Sequence, residues 1–229
     1  MKMLKSTFDP ELSGPAVEGG IIVEKPMTVS EKSREIPVHA ECDVLVVGGG
    51  PAGCAAAAAA ADTGAEVILM DRYGCLGGMS TDGLVLWLEN MTDWSGRKVI
   101  TGFADEIMDR LPEEAKIGPA QDAWGSMDPE LVAYWKDRAS AFNGIVTCSP
   151  TYDLEMMKLA YFDAVKDRKI RLLLHCWAVG TVHGDCGLSG VVFESKSGRK
   201  AVRAKRIVDA TGDGDIFAMA GESFETDIF

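Results

Sequence analysis

At 229 residues, with 47% hydrophobic and 25% charged side chains, the chain is long enough to bury a core as one large domain, alone or with a small appendage. A formal charge of −12 argues against a nucleic-acid backbone or an anionic membrane as partner, and no apolar run reaches membrane-spanning length. The opening MKMLKSTFDPELSG has neither the apolar core of a secretory signal nor the arginine bias of a transit peptide, and the six cysteines form no C-x-x-C pair, so reduced thiols in a cytoplasmic protein are expected.

Residues 1–39 are polar and broken by Pro10, Gly14, Pro15, Gly19, Gly20, Pro26 and Pro37, which predicts an arm lying on the surface or on a partner. Ile21-Ile22-Val23 is its one candidate for a short edge strand.

The first firm element is Asp43-Val44-Leu45-Val46-Val47, an apolar β-branched run that stops at Gly48-Gly49-Gly50, as a buried parallel strand does at a tight turn. Gly48, Gly50 and Gly53 fit G-x-G-x-x-G: the first permits the turn, the second lets a pyrophosphate approach the backbone, and the third lets helix and strand pack closely. With Pro51 and Ala52 between them, they open a helix whose unpaired N–H groups and dipole attract phosphate without a lysine. An unbroken alanine run, residues 55–61, continues the helix, Gly64 closes it, and residues 66–70 supply a second strand. Asp71 ends that strand at close to the expected distance of about 20 residues beyond the glycines. A carboxylate there accepts hydrogen bonds from an adenosine ribose and disfavours a 2′-phosphate, pointing to FAD or NAD over NADP, with Arg72 next door as the dissenting charge.

Residues 72–83 form a glycine-dense loop whose paired glycines let the backbone run beside a bulky planar group, and the apolar residues 84–89 follow as strand or helix. Residues 102–111 have helical spacing, with Phe103, Ile107 and Leu111 on one face and Pro112 marking the end. Residues 115–128 have the composition of a loop, and 129–142 that of a helix with Pro129 in its first turn. Trp87, Trp94, Trp124 and Trp135, in or beside this stretch, are expected in core or interface, with a substrate pocket as the sharper alternative.

A helix over residues 153–168, with Leu154, Met157, Tyr161, Ala164 and Val165 on one side, leads into a strand at 170–174. Three more strand candidates follow at 178–183, 188–194 and 200–204, separated by turns, as in a β-meander. A last strand, 206–209, runs into a second glycine turn, Ala210-Thr211-Gly212-Asp213-Gly214-Asp215.

Taken in order, DVLVVGGGPAG, DRYGCLGGMS and IVDATGDGD resemble the FAD-dependent oxidoreductases of the glutathione-reductase-like superfamily, especially a bacterial branch with much the same three strings. The likeness covers residues 36–225. It implies an α/β fold: a Rossmann-like FAD-binding domain over 40–229, with a parallel sheet, a β-meander and a mixed helical insert at about 84–150, behind the 1–39 arm. It also implies FAD as cofactor and a small organic substrate. Gly48, Gly50 and Gly53 would lie at the pyrophosphate, Asp71 at the ribose and Arg72 along the adenine. Gly77, Gly78 and Met79 would pass the pyrophosphate and the flavin's inner edge. Ala178 would meet adenine through its backbone, and Ala210, Thr211 and Gly212 would close over the cofactor, with Asp213 near the ribityl or phosphate region. Members of this family continue for roughly another domain past the ATGDGD-like turn. The resemblance thus implies that the region covering substrate and flavin comes from a longer form of this chain, a second polypeptide or a homo-oligomer.

No acid–base pair stands out. His39, His175 and His183 are far apart, the latter two on predicted strands, and are expected as packed or surface residues. Cys75, in the flavin-proximal loop, is expected as a small loop residue, with a redox thiol or flavin attachment point as the alternative. Asp209, Asp213 and Asp215 lack the spacing of a calcium loop and are expected to build a turn and helix start. Asp82, Glu89 and Asn90 are candidates to face a substrate. Against the enzyme stand two other readings: a non-catalytic flavin-binding subunit that needs a complementary chain, and a degenerate fragment whose site stays empty.

Overall fold

The computed structural model describes residues 28–31, 33–185 and 187–225; the Ile21-Ile22-Val23 strand candidate lies outside them. β1 (Val38–Val47) begins five positions before the apolar run, because Val38, Ala40 and Cys42 alternate with polar His39 and Glu41 and extend the strand with period two. α1 (Pro51–Asp62) starts on proline and ends at Thr63 and Gly64, whose φ of +88° suits glycine. β2 (Val67–Met70) is buried along its whole length and pairs in parallel with β1, from Val44 opposite Val67 to Val47 opposite Met70.

The insert contains α2 (Phe103–Arg110), β3 (Lys116–Ile117), α3 (Pro129–Lys136), β4 (Ala141–Phe142), β5 (Ile145–Val146) and β6 (Thr151–Tyr152). α2 matches its predicted span and buries Ile107 and Met108. α3 stops six residues short of the expected 142. Its end is a turn in which Ser140 N–H donates to the Trp135 carbonyl at 2.9 Å and Ala139 takes φ +56°. The chain then makes a hairpin, β4 to β5, across Asn143 and Gly144, both at positive φ as a tight two-residue turn demands. Residues 84–89 form neither strand nor helix; Trp87 makes one isolated bridge to Thr151.

α4 (Leu154–Asp167) is capped by Asp153, whose carboxylate accepts from Met156 N–H at 2.9 Å, and buries Met157, Tyr161, Ala164 and Val165 as the spacing predicts. β7 (Arg171–Leu173), β8 (Trp177–Gly184), β9 (Gly187–Ser195), β10 (Gly198–Asp209) and α5 (Asp215–Met219) complete the order. The two strands expected at 200–204 and 206–209 are one. β10 pairs antiparallel with β9 over Gly198 to Arg203 and in parallel with β1 up to Asp209, so the ladder continues across the charged Lys205-Arg206 interruption. Lys205 stays at the surface, 2.5 Å from Asp43.

The main sheet therefore runs β7-β2-β1-β10-β9-β8, parallel from β7 to β10 and antiparallel through the meander. Alternation along β1 splits the core. Val46 joins Leu69, Met157, Tyr161 and Val165 beneath α1, α2 and α4, whereas Leu45 joins Ile68, Met70, Val191, Phe193 and Ile216 on the other face.

Candidate functional site

The carboxyl ends of β1, β2 and β10 converge on a cleft of about 580 Å³. The two glycine turns meet at this cleft. Ala210 N–H donates to the Val47 carbonyl at 2.8 Å, and a Cβ on Gly48, whose φ is +104°, would lie 2.1 Å from the Ala210 carbonyl oxygen. A Cβ on Gly53 would lie 1.8 Å from the Gly48 carbonyl oxygen. Both glycines are thus required by the chain's own packing. Gly50 differs: it has an ordinary extended backbone at φ −69° and ψ −178°, and a Cβ there would meet no atom within 4 Å. The open space beside it is cleft.

The middle glycine, Gly49, carries a duty that the motif does not mark. Its N–H donates to Asp71 Oδ2 at 2.5 Å and its carbonyl accepts from Gly77 N–H at 2.8 Å, joining the strand end, the first turn and the following loop. Asp71 is 9% exposed, and its other oxygen accepts from Tyr73 N–H at 2.6 Å. Each carboxylate oxygen thus holds one backbone N–H and retains acceptor capacity.

Of the residues expected at a cofactor, Gly48, Gly50, Pro51, Ala52, Asp71, Arg72, Gly78, Met79, Ala178, Ala210, Thr211, Gly212 and Asp213 line this one cleft. Gly53 and Gly77 do not. Gly53 is the buried helix–strand contact, and Gly77, at φ +103°, lets the loop pack on Thr81 and Tyr161. Ser80 fixes that loop by donating to the Gly77 carbonyl at 2.7 Å, and Thr81 by donating to the Leu76 carbonyl at 2.8 Å. Asp209 fixes the second turn: Oδ1 accepts from Thr211 N–H and Oγ1, and Oδ2 from Phe217 N–H in α5. That is the turn-building part expected of it.

Cys75 also lines the cleft, its Sγ donating to Asp82 Oδ2 at 2.8 Å while Lys158 holds the other Asp82 oxygen at 3.0 Å. Burial and then the Asp82 carboxylate push the Cys75 thiol up to about 11, which disfavours the thiolate near neutral pH. Asp82 thus reaches the cleft, whereas Glu89 and Asn90 do not. His39, His175 and His183 are exposed and outside it, and His175 sits in a turn at φ +53° rather than on the expected strand. None of the four insert tryptophans lines the cleft. Trp94 packs edge-on against Phe142, Trp135 against Tyr134, Trp124 donates to the Pro119 carbonyl, and Trp87 borders a separate hollow with Ile117 and Arg138. Cys176 and Trp177 are wall residues that no motif marked, and Tyr73, inside the DRYGCLGGMS string, lines the wall without having been singled out.

The lining fits a dinucleotide. The α1 N-terminus has no side-chain cap and no acidic residue in its first turn, so the Ala52 and Gly53 N–H groups have no intrahelical partners, and Gly50, Pro51 and Ala52 line the cleft there. Among the described residues no three His, Cys, Asp or Glu side chains are grouped to hold a metal ion, and no helix is long and apolar enough to cross a membrane.

The family model for FAD dependent oxidoreductase matches residues 43–227. A search of curated proteins finds no match. Among solved structures, a geranylgeranyl bacteriochlorophyll reductase-like protein of Thermoplasma acidophilum is similar at 19% identity and a TM-score of 0.50, over 79% of this chain and 42% of that one. The 3-ketosteroid-delta4-(5alpha)-dehydrogenase of Rhodococcus jostii RHA1 is similar at 18% identity and a TM-score of 0.46, over 75% of this chain and 46% of that one. The glycerol-3-phosphate dehydrogenase of Bacillus halodurans, solved with FAD, is similar at 13% identity and a TM-score of 0.47, over 74% and 34%. The chain therefore spans less than half the length of each of these three, and the likeness to the first is one of fold.

Proposed function

Because this chain belongs to the FAD dependent oxidoreductase family, we propose that its cleft binds FAD and that it supplies the FAD-binding portion of an enzyme acting on a small organic substrate. When bound, FAD supplies hydride and electron transfer. The chain's own residues bind and orient it. The α1 N-terminus and Gly50 receive the pyrophosphate, Asp71 accepts from the ribose hydroxyls, and Gly78, Met79 and the 210–213 turn flank the remaining length.

The observation that carries this reading is the contrast among the three motif glycines. Packing within the chain explains Gly48 and Gly53 and leaves Gly50 unexplained, since a methyl group there would touch nothing of the protein. A ligand phosphate at that position supplies the reason. Gly50→Ala is therefore expected to fold with an unchanged thermal midpoint and to bind FAD about fivefold to a hundredfold more weakly than the parent, because a steric intrusion of that kind costs roughly 1–3 kcal/mol. Calorimetric titration with FAD, alongside thermal unfolding, checks both halves; undiminished affinity would remove the pyrophosphate from Gly50.

Leu84, Val85 and Leu86, which follow the cleft residue Gly83, are exposed apolar side chains. They support a further protein surface packing beside the cleft, from a longer form of this chain, a second copy or a complementary polypeptide. Free thiols at Cys42, Cys54, Cys75, Cys148 and Cys176 fit a reducing, cytoplasmic setting.

A further inference from the structure

We propose that Trp177 is the stacking platform for the cofactor's adenine, an inference that rests on the FAD reading above. Three backbone bonds lock the run after β2 to the run after β7. Asp71 N–H donates to the Leu173 carbonyl at 2.9 Å, Cys176 N–H to the Asp71 carbonyl at 2.9 Å, and His175 N–H to the Tyr73 carbonyl at 3.1 Å. They carry Trp177, the first residue of β8, onto the same cleft wall as Asp71 and Arg72.

Trp177 is 57% exposed, and among the described residues its indole joins no aromatic pair, unlike exposed Trp94, which packs on Phe142. Leaving so large an apolar ring in water is unfavourable unless something covers it. The place of Asp71 says what. With the ribose on that carboxylate and the pyrophosphate toward Gly50, the base projects from the ribose away from the phosphates, toward the wall that Arg72 and Trp177 share. Arg72 is itself held on the Tyr73 ring, 4.9 Å from its centroid, and provides a planar cation for the same base. A purine between an indole and a guanidinium gains stacking on a π-face whatever its edge contacts.

The test uses the full chain with Trp177→Ala and Trp177→Phe, titrated with FAD and, separately, with ADP, which keeps adenine, ribose and pyrophosphate and lacks the flavin. Trp177→Ala is expected to weaken both ligands by about tenfold to a hundredfold, from the measured worth of base–aromatic stacking. Trp177→Phe, which retains a stacking ring, is expected to stay within about threefold of the parent. ADP is also expected to quench the part of the tryptophan emission that the parent shows and Trp177→Phe lacks. Equal affinities in the parent and Trp177→Ala, or an emission difference that ADP leaves unchanged, would overturn the platform alone. Should Trp177→Ala fail to fold, the emission difference decides. A parent chain that takes up neither FAD nor ADP would overturn the FAD reading and the platform with it.

Discussion

Asp71 shows why one side chain can carry both fold and function. Its carboxylate is buried, accepts from Gly49 and Tyr73, and borders the cleft, so the residue that would face a ribose also sets the distance between the first glycine turn and the strand end. Asp71→Ala would leave the buried Gly49 N–H without an acceptor, at a cost of about 1–3 kcal/mol, and would remove a charged acceptor from the cleft. The variant is expected to melt on the order of 5 °C below the parent and to bind FAD roughly tenfold to a hundredfold more weakly. Thermal unfolding and FAD titration measure the two effects separately, and an unchanged melting point would mean that the Gly49 contact contributes nothing. At this scale much was legible. Glycine spacing announces a turn because only glycine suits the positive φ of Gly48 and the contact at Gly53, and the acidic residue after the second strand does border the cleft. Gly49 and Trp177 were not legible, since their duties come from backbone runs distant in sequence that meet only in the fold.

Among elements, the tie between α1, α2 and α4 is electrostatic at its rim. Arg168, just past α4, pairs with Asp62 of α1 at 2.9 Å and with Glu106 of α2 at 2.7 Å, while Arg110 holds Glu106 and Asp167. The Arg168 and Arg110 guanidinium groups hold the Glu106 carboxyl below the usual carboxylate range, against an opposing contribution from burial. A carboxyl whose folded value is depressed stabilises the fold above its unfolded value, near 4.3 for glutamate, and loses that contribution as pH falls through the folded value. Glu106→Gln is therefore expected to cost about 1 kcal/mol at pH 7, with the gap to the parent closing as pH falls below about 4. Urea unfolding of both proteins between pH 7 and pH 3 checks the slope; a gap constant across that range would contradict it. Element existence was legible from apolar periodicity, as in α4 and the meander. Where the pattern misled, backbone pairing overrode it. The charged Lys205-Arg206 pair sits within a strand hydrogen-bonded to β1, and the Asn143-Gly144 signal that cut short the expected helix at 129–142 is a hairpin turn stronger than the helical composition around it.

For the whole molecule, a sheet with α1, α2 and α4 on one face, α5 on the other and a meander at its edge leaves its strand ends, two glycine turns and an uncapped helix terminus around one cleft. A chain of charge −12 has an overall field that opposes a dianionic pyrophosphate, so the proposed site relies on local groups, the uncapped α1 terminus and the Arg72 of the cleft lining. Beyond α2, the long insert was least legible: its two-residue ladders carry little periodicity, and their placement rests on contacts such as the Tyr152 hydroxyl donating to the Val85 carbonyl. The most direct measurement is the visible absorbance of the purified chain before and after incubation with FAD and gel filtration, with released cofactor identified by chromatography. The account predicts a retained flavin spectrum and released FAD, in about a one-to-one ratio to protein, as expected for a single dinucleotide cleft. A folded chain that emerges colourless after saturation with FAD would contradict it.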